Sequence, residues 1–167
     1  MQGTALGGQA GWLDWIANSA IGVAMRSELW LYPIVEVVHI IGFAVLVGSV
    51  VMFDLRVLGL SKDIAVTALA RHLLRWGVTA LLLIVPAGLL MFSAHPHDFA
   101  SNEVFILKLS LIGIAGINAA VFHLGVYRSV SRWNTGAAAP GTAKVQAALS
   151  MVLWVTVVLC GRLLAYT

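Results

Sequence analysis

The sequence predicts an all-α membrane protein, a bundle of four transmembrane helices with an N-terminal interfacial amphipathic helix. Three observations carry that expectation. The chain of 167 residues is 60% hydrophobic and only 10% charged, too apolar to shield its surface from water as a soluble domain. Four apolar stretches, Leu29–Phe53, Trp76–Ser93, Val104–Val126 and Val145–Cys160, approach or exceed the roughly 20 residues that a helix needs to cross ~30 Å of hydrocarbon. These runs are continuous, whereas the strands of a membrane barrel alternate lipid-facing and lumen-facing residues.

Taken in order, residues 1–28 form an outer-face segment and residues 29–167 the four-helix domain. Met1–Gly11 lacks the basic start and apolar core of a signal peptide, so the first spanning helix is expected to act as the insertion signal. Between Gly11 and Leu31, Trp12, Trp15, Ile16, Ser19 and Val23 recur at helical spacing among Asp14, Asn18 and Arg26. This pattern predicts an amphipathic helix on the membrane face, either an aromatic anchor or a cover over the bundle.

Helix one is entered through Pro33, tolerated in a first turn where its missing N–H has no partner, and leaves near Asp54-Leu-Arg56. Pro86 falls midway through helix two, where it removes a backbone hydrogen bond and predicts a kink beside Gly88. The small residues Gly113, Gly116 and Ala120 on helix three, with Gly42 and Ser49 on helix one, predict close backbone approach, within the bundle or between copies in a homo-oligomer. Asn134–Gly141, rich in Gly, Ala and Pro, reads as a flexible connection.

A pI near 9.4 would suit nucleic acid, but the basic residues do not gather on a polar face; they mark sidedness. Arg56, Lys62, Arg71 and Arg75 surround the first connection and Arg128, Arg132 and Lys144 the third, while Ala94–Glu103 has no Lys or Arg. The positive-inside rule places the first and third connections in the cytoplasm and both termini outside. The lone cysteine, Cys160, excludes an intramolecular disulfide and any Cys-rich metal or iron–sulfur site within the chain.

The polar residues inside the apolar stretches point to function, because a charged or imidazole side chain there is costly unless it faces the bundle interior and finds partners. Glu36 and His39 are three residues apart on one face of helix one. Lys108 and His123 are fifteen apart on helix three, which leaves them about 60° apart in azimuth and ~22 Å apart along the axis. Sorted by depth, Glu36, His39, Lys108, His95 and His97 lie toward the outside. His72, His123, Asp54, Arg56, Arg71, Arg75 and Arg128 lie toward the inside. Haem b suits such a bundle: imidazoles bind the iron axially, apolar side chains pack the macrocycle and basic residues meet the propionates. His72 and His123 would ligate an inner haem with Arg71, Arg75 and Arg128 at its propionates, and His39 would anchor an outer one, with Lys108, His95 or water opposite. Copper held by His39, His95 and His97 is the competing reading, although soft Cu(I) prefers sulfur and the methionines form no paired motif.

Tyr32-Pro-Ile-Val-Glu-Val-Val-His39-Ile-Ile-Gly42, continuing to Gly48 and Asp54-Leu-Arg56, resembles a widespread bacterial family of small four-helix inner-membrane proteins of unknown function. Phe105-Ile-Leu-Lys108, Asn118-Ala-Ala-Val-Phe-His123, Ser150, Trp154, Gly161-Arg162 and Tyr166 extend the resemblance over nearly everything beyond Leu29. More distantly, the histidine and Gly-spaced run of helix one is similar to the copper-resistance D membrane proteins and to the J-type haem-binding protoporphyrinogen oxidase. The latter resemblance implies haem-related roles for His39 and Lys108. The residues therefore predict a b-type haem protein of the bacterial inner membrane, carrying one or two haems, that passes electrons between a quinone or membrane dehydrogenase and a partner protein. A copper transport or resistance protein and a non-catalytic accessory subunit are the alternatives. Whether it also acts as a haem-dependent oxidoreductase stays open.

Overall fold

The computed structural model describes residues 7–166, with side chains from Gly11 onward. The expectation for Met1–Gly11 therefore falls largely outside the described residues. The order is α1 (Gly7–Ala17), α2 (Ala20–Ser27), α3 (Leu31–Leu58), α4 (Val66–Ala94), α5 (Pro96–Ser101), α6 (Glu103–Leu124), a 3₁₀ helix (Val126–Arg132) and α7 (Gly141–Leu163), with no strand among the described residues. The four helices α3, α4, α6 and α7 are long and apolar enough to cross a membrane. Their exposed sides carry Ile40, Ile41, Leu82, Leu89, Ile117, Leu124, Val152 and Leu159, a surface for lipid rather than water.

The single amphipathic helix expected over 11–31 is instead two. Ser19 breaks it: its backbone is extended, its Oγ accepts from Gly22 N at 3.1 Å, and the same hydroxyl donates to Ile16 O at 2.7 Å. One hydroxyl thus satisfies a carbonyl at the end of α1 and an amide at the start of α2. Helix two was expected to begin at Trp76 but α4 starts at Val66, because Arg71, His72 and Arg75 interrupt hydropathy without interrupting a helix; arginine and leucine are both good helix formers. Pro33 lies in the first turn of α3 and Pro86 inside α4. Gly113 and Gly116, expected to bring backbones together, face open space.

The chain divides into two compact units that cut across α3 and α4. One comprises residues up to Phe43 with Leu81–Asn102, the other Ala44–Ala80 with Glu103 onward. In the first unit α1 packs on α2 and α5, and buried Met25 of α2 joins Val35, Ala87 and Ala94, with Tyr32, Leu90 and Met91 against them. Arg26 ends two helices at once, donating from Nη1 to Ala94 O at 2.8 Å and from Nη2 to Ala17 O at 2.6 Å, the favourable place for a cation at helix C-termini. His97 Nε2 lies 2.8 Å from Asp14 Oδ1, tying α5 to α1. The N-terminal helices are thus packed as a cover in this unit, while Trp12, Trp15 and Trp30 stay exposed, as an interfacial belt requires.

In the second unit α6 packs along α7, with the 3₁₀ helix against both. Its core is Val57, Val66, Phe122, Trp133, Ala139, Ala143 and Ala147. Two connecting loops are knitted together by buried Arg56. Its Nε donates to Ile64 O at 2.7 Å, and its Nη2 to Lys62 O at 3.0 Å and Asn134 O at 3.1 Å. Asn134 also receives the first amides of α4: Val66 N donates to its carbonyl at 3.0 Å and Thr67 N to its Oδ1 at 2.9 Å. The N-terminus of α4 is therefore capped by a residue from a distant loop, which satisfies donors that a helix start leaves unpaired. Asn134–Gly141, read as a flexible connection, is pinned at its first residue.

Candidate functional site

In the first unit, half-buried His39 on α3 reaches across to α4, where its Nδ1 lies 3.0 Å from Ile84 O. A carbonyl oxygen only accepts, so Nδ1 carries the proton and the lone pair of the neutral ring is on Nε2. The ring stacks on Phe43 at an interplanar angle of 13°. Gly88 makes this approach possible, since a Cβ there would stand 3.2 Å from His39 Cε1. Gly88→Ala is expected to lower stability by about 1 kcal/mol, overpacking exceeding the gain in helix propensity; an unchanged unfolding temperature in detergent would contradict that packing. Glu36, one turn before His39, is exposed.

At the helix ends of the same unit, Met25, Arg26, Glu28, Leu29, Tyr32 and His95 line a shallow open groove of about 460 Å³. Tyr32 meets His95 edge-on at 6.4 Å. His95 lies 3.6 Å from Asp98. With His97 turned to Asp14, both outer histidines have carboxylate neighbours instead of converging on His39 in any hydrogen bond or ring contact among the described residues. No group of three or more His, Cys, Asp or Glu that could hold a metal ion occurs among the described residues.

In the second unit, His72 on α4 and His123 on α6 are both exposed, contrary to the expectation that their rings turn into a shared interior. His72 touches Trp76 edge-on at 6.5 Å. His123 Nδ1 lies 2.9 Å from Ala119 O of its own helix, and its ring meets Phe122 and Tyr127. His123 is thus held in the same tautomer as His39. Arg71, Arg75 and Arg128 are exposed as well. Lys108 of α6 is half-buried, with its Nζ 3.7 Å from where a Cβ on Gly161 of α7 would stand.

A buried carboxyl of this unit, sorted by the sequence into the inner polar group, was not among the expected ligands. Asp54 of α3 is 5% exposed. Its carboxyl is hydrogen-bonded to Ser150 of α7, yet Oδ2 is buried without a partner, as is Gln146 Oε1. Asn118 Nδ2 of α6 donates to Gln146 O at 3.0 Å, so three spanning helices contribute. The signal available in the sequence was the four-residue spacing of Gln146 and Ser150, two polar groups on one face of an apolar helix.

Fold and polar residues together define a class: a four-helix membrane-spanning protein with imidazole, carboxyl and amide groups set into its helices. The chain belongs to DUF6644, a family of unknown function whose model matches residues 12–167. No curated protein and no solved structure matches the chain. The more distant likenesses to copper-resistance D proteins and J-type protoporphyrinogen oxidase gain no support from these comparisons.

Proposed function

We propose that the protein is a small b-type haem protein of a bacterial inner membrane, passing electrons between a quinone or membrane dehydrogenase and a redox partner, with His39 as the residue that would hold the haem. The observation that supports it is the hydrogen bond from His39 Nδ1 to Ile84 O. Ligating histidines usually donate their other ring N–H to a carbonyl or carboxylate, which fixes the tautomer and raises the basicity of the ligating nitrogen. When bound, haem supplies the one-electron couple. His39 would set its position, with Phe43 stacked beside the imidazole as part of the apolar wall. His72 and His123, exposed on their helices, suit a second haem only at the flank of the protein, where Arg71, Arg75 and Arg128 would meet its propionates. The weight of the reading therefore rests on His39 and not on that pair.

The test is the visible spectrum of the full chain purified in detergent from haem-sufficient cells. A Soret band with α and β bands that sharpen on dithionite reduction is expected. Colourless protein from such cells would overturn the reading.

A further inference from the structure

The second unit contains buried acceptor oxygens without a donor that the haem reading does not use. Asp54 is a buried carboxyl, and among the described residues no Lys, Arg or His pairs with it. Ser150 meets one side of it. The other oxygen, Oδ2, has no donor, and neither has the buried Oε1 of Gln146. Gln146 and Ser150 are four residues apart on α7, so their Cβ atoms lie about 5–6 Å apart on one face. The nearby cation in sequence, Arg56, spends its guanidinium on the carbonyls of Lys62, Ile64 and Asn134. Asn118 gives its amide N–H₂ to the backbone of Gln146, which fixes that turn of α7 without supplying a donor to either orphaned oxygen.

Two buried acceptor oxygens without a donor, one on α3 and one on α7 a helical turn from the serine that meets the α3 carboxyl, are costly unless something positive or donating satisfies them. Oxygen ligands select hard cations, and one carboxylate with neutral amide and hydroxyl oxygens balances a single positive charge rather than two. We propose that Asp54 Oδ2, Gln146 Oε1 and Ser150 Oγ form a binding site for an alkali-metal cation such as sodium. Three side-chain oxygens fall short of a full alkali-metal shell, so water or backbone carbonyls complete it. The site lies near one end of its helices: Asp54 is four residues, about 6 Å of helix rise, from the last residue of α3. A cation there would enter from the side of the α3–α4 connection. This inference does not depend on haem binding.

The experiment is thermal unfolding of the purified full chain in sodium, lithium, potassium and choline chloride at constant ionic strength, followed by tryptophan fluorescence, with ²²Na⁺ binding by equilibrium dialysis in parallel. The unfolding temperature is expected to rise and saturate with at least one alkali cation relative to choline, and that increment is expected to vanish in Asp54→Asn and in Gln146→Leu. The Gln146→Leu variant, which keeps the carboxylate and its Ser150 hydrogen bond, decides the matter if Asp54→Asn does not accumulate. Superposed transitions in all four salts, or an alkali-cation increment that survives in Gln146→Leu, would overturn the site.

Discussion

Arg56→Ala is expected to be the most damaging single substitution in the chain, lowering the yield of folded protein several-fold and destabilising what remains by about 4 kcal/mol. The side chain is 2% exposed and donates to carbonyls of Ile64, Lys62 and Asn134. Hydrogen bonds to a charged group contribute about 1.5–3 kcal/mol each, and truncating the donor removes all three at once. The loss spreads because Asn134 also caps α4 through Val66 and Thr67. Once the 134 segment is released, the start of α4 loses acceptors for its first amides, and the Val66–Trp133 part of the core loses its frame. Arg56→Lys should recover less than half of the stability, because a single ammonium cannot reproduce a planar fork aimed at carbonyls from separate loops. The check is detergent-dependent thermal unfolding with limited proteolysis of the 59–65 and 133–140 connections. Protein that unfolds within about 2 °C of the parent would contradict the role assigned to this arginine.

Gly22→Ala is expected to undock the N-terminal cover. A Cβ at this position would stand 2.7 Å from Ile16 O, 2.7 Å from Ser93 O and 2.8 Å from Ala17 O. All three are backbone atoms, so no side chain can swing away, and overpacking of this kind costs about 1–3 kcal/mol, here at the upper end. Relief requires α2 to lift from the end of α4, which withdraws Met25 from Val35, Ala87 and Ala94 and pulls Arg26 off Ala94 O. The four spanning helices retain their own packing. The expected result is faster hydrogen exchange and proteolysis across residues 11–30 with the rest of the chain nearly unchanged. Uniform protection equal to the parent would show that α2 does not dock through this glycine.

The four spanning helices were legible because lipid-facing helices must be apolar along their whole length, so the signal is continuous; most termini err by about a turn, and the start of α4 errs by nearly three turns because charges begin there, Val66 against Trp76. The Ser19 break was not legible. Its cap spans two residues, and the apolar spacing from Trp12 to Val23 runs on across it. Arg56 was read as a sidedness marker because arginine at the end of a membrane helix ordinarily is one; its carbonyl partners lie 8, 6 and 78 residues away, and carbonyls leave no trace in side-chain chemistry. His39 stood out because an imidazole between Val38 and Ile40 has few ordinary reasons to be there. His123 stood out for the same reason and His72 for its similar depth beside Arg71 and Arg75, where an exposed histidine is ordinary; the exposure of His123 depends on helix rotation, which hydropathy does not fix when apolar residues surround the helix on every side. Gln146 was missed because uncharged amides near a helix end pass as surface residues, and only the orphaned oxygen distinguishes it.

The sharpest test of the account is haem content per polypeptide, measured as the pyridine haemochrome, in the parent protein, His39→Ala and His123→Ala purified side by side. On the proposed function, His39→Ala should retain about tenfold less haem than the parent or lower, while His123→Ala should keep the haem proposed for His39. A His39→Ala protein that folds and carries haem equal to the parent would contradict the assignment of His39 as the ligand.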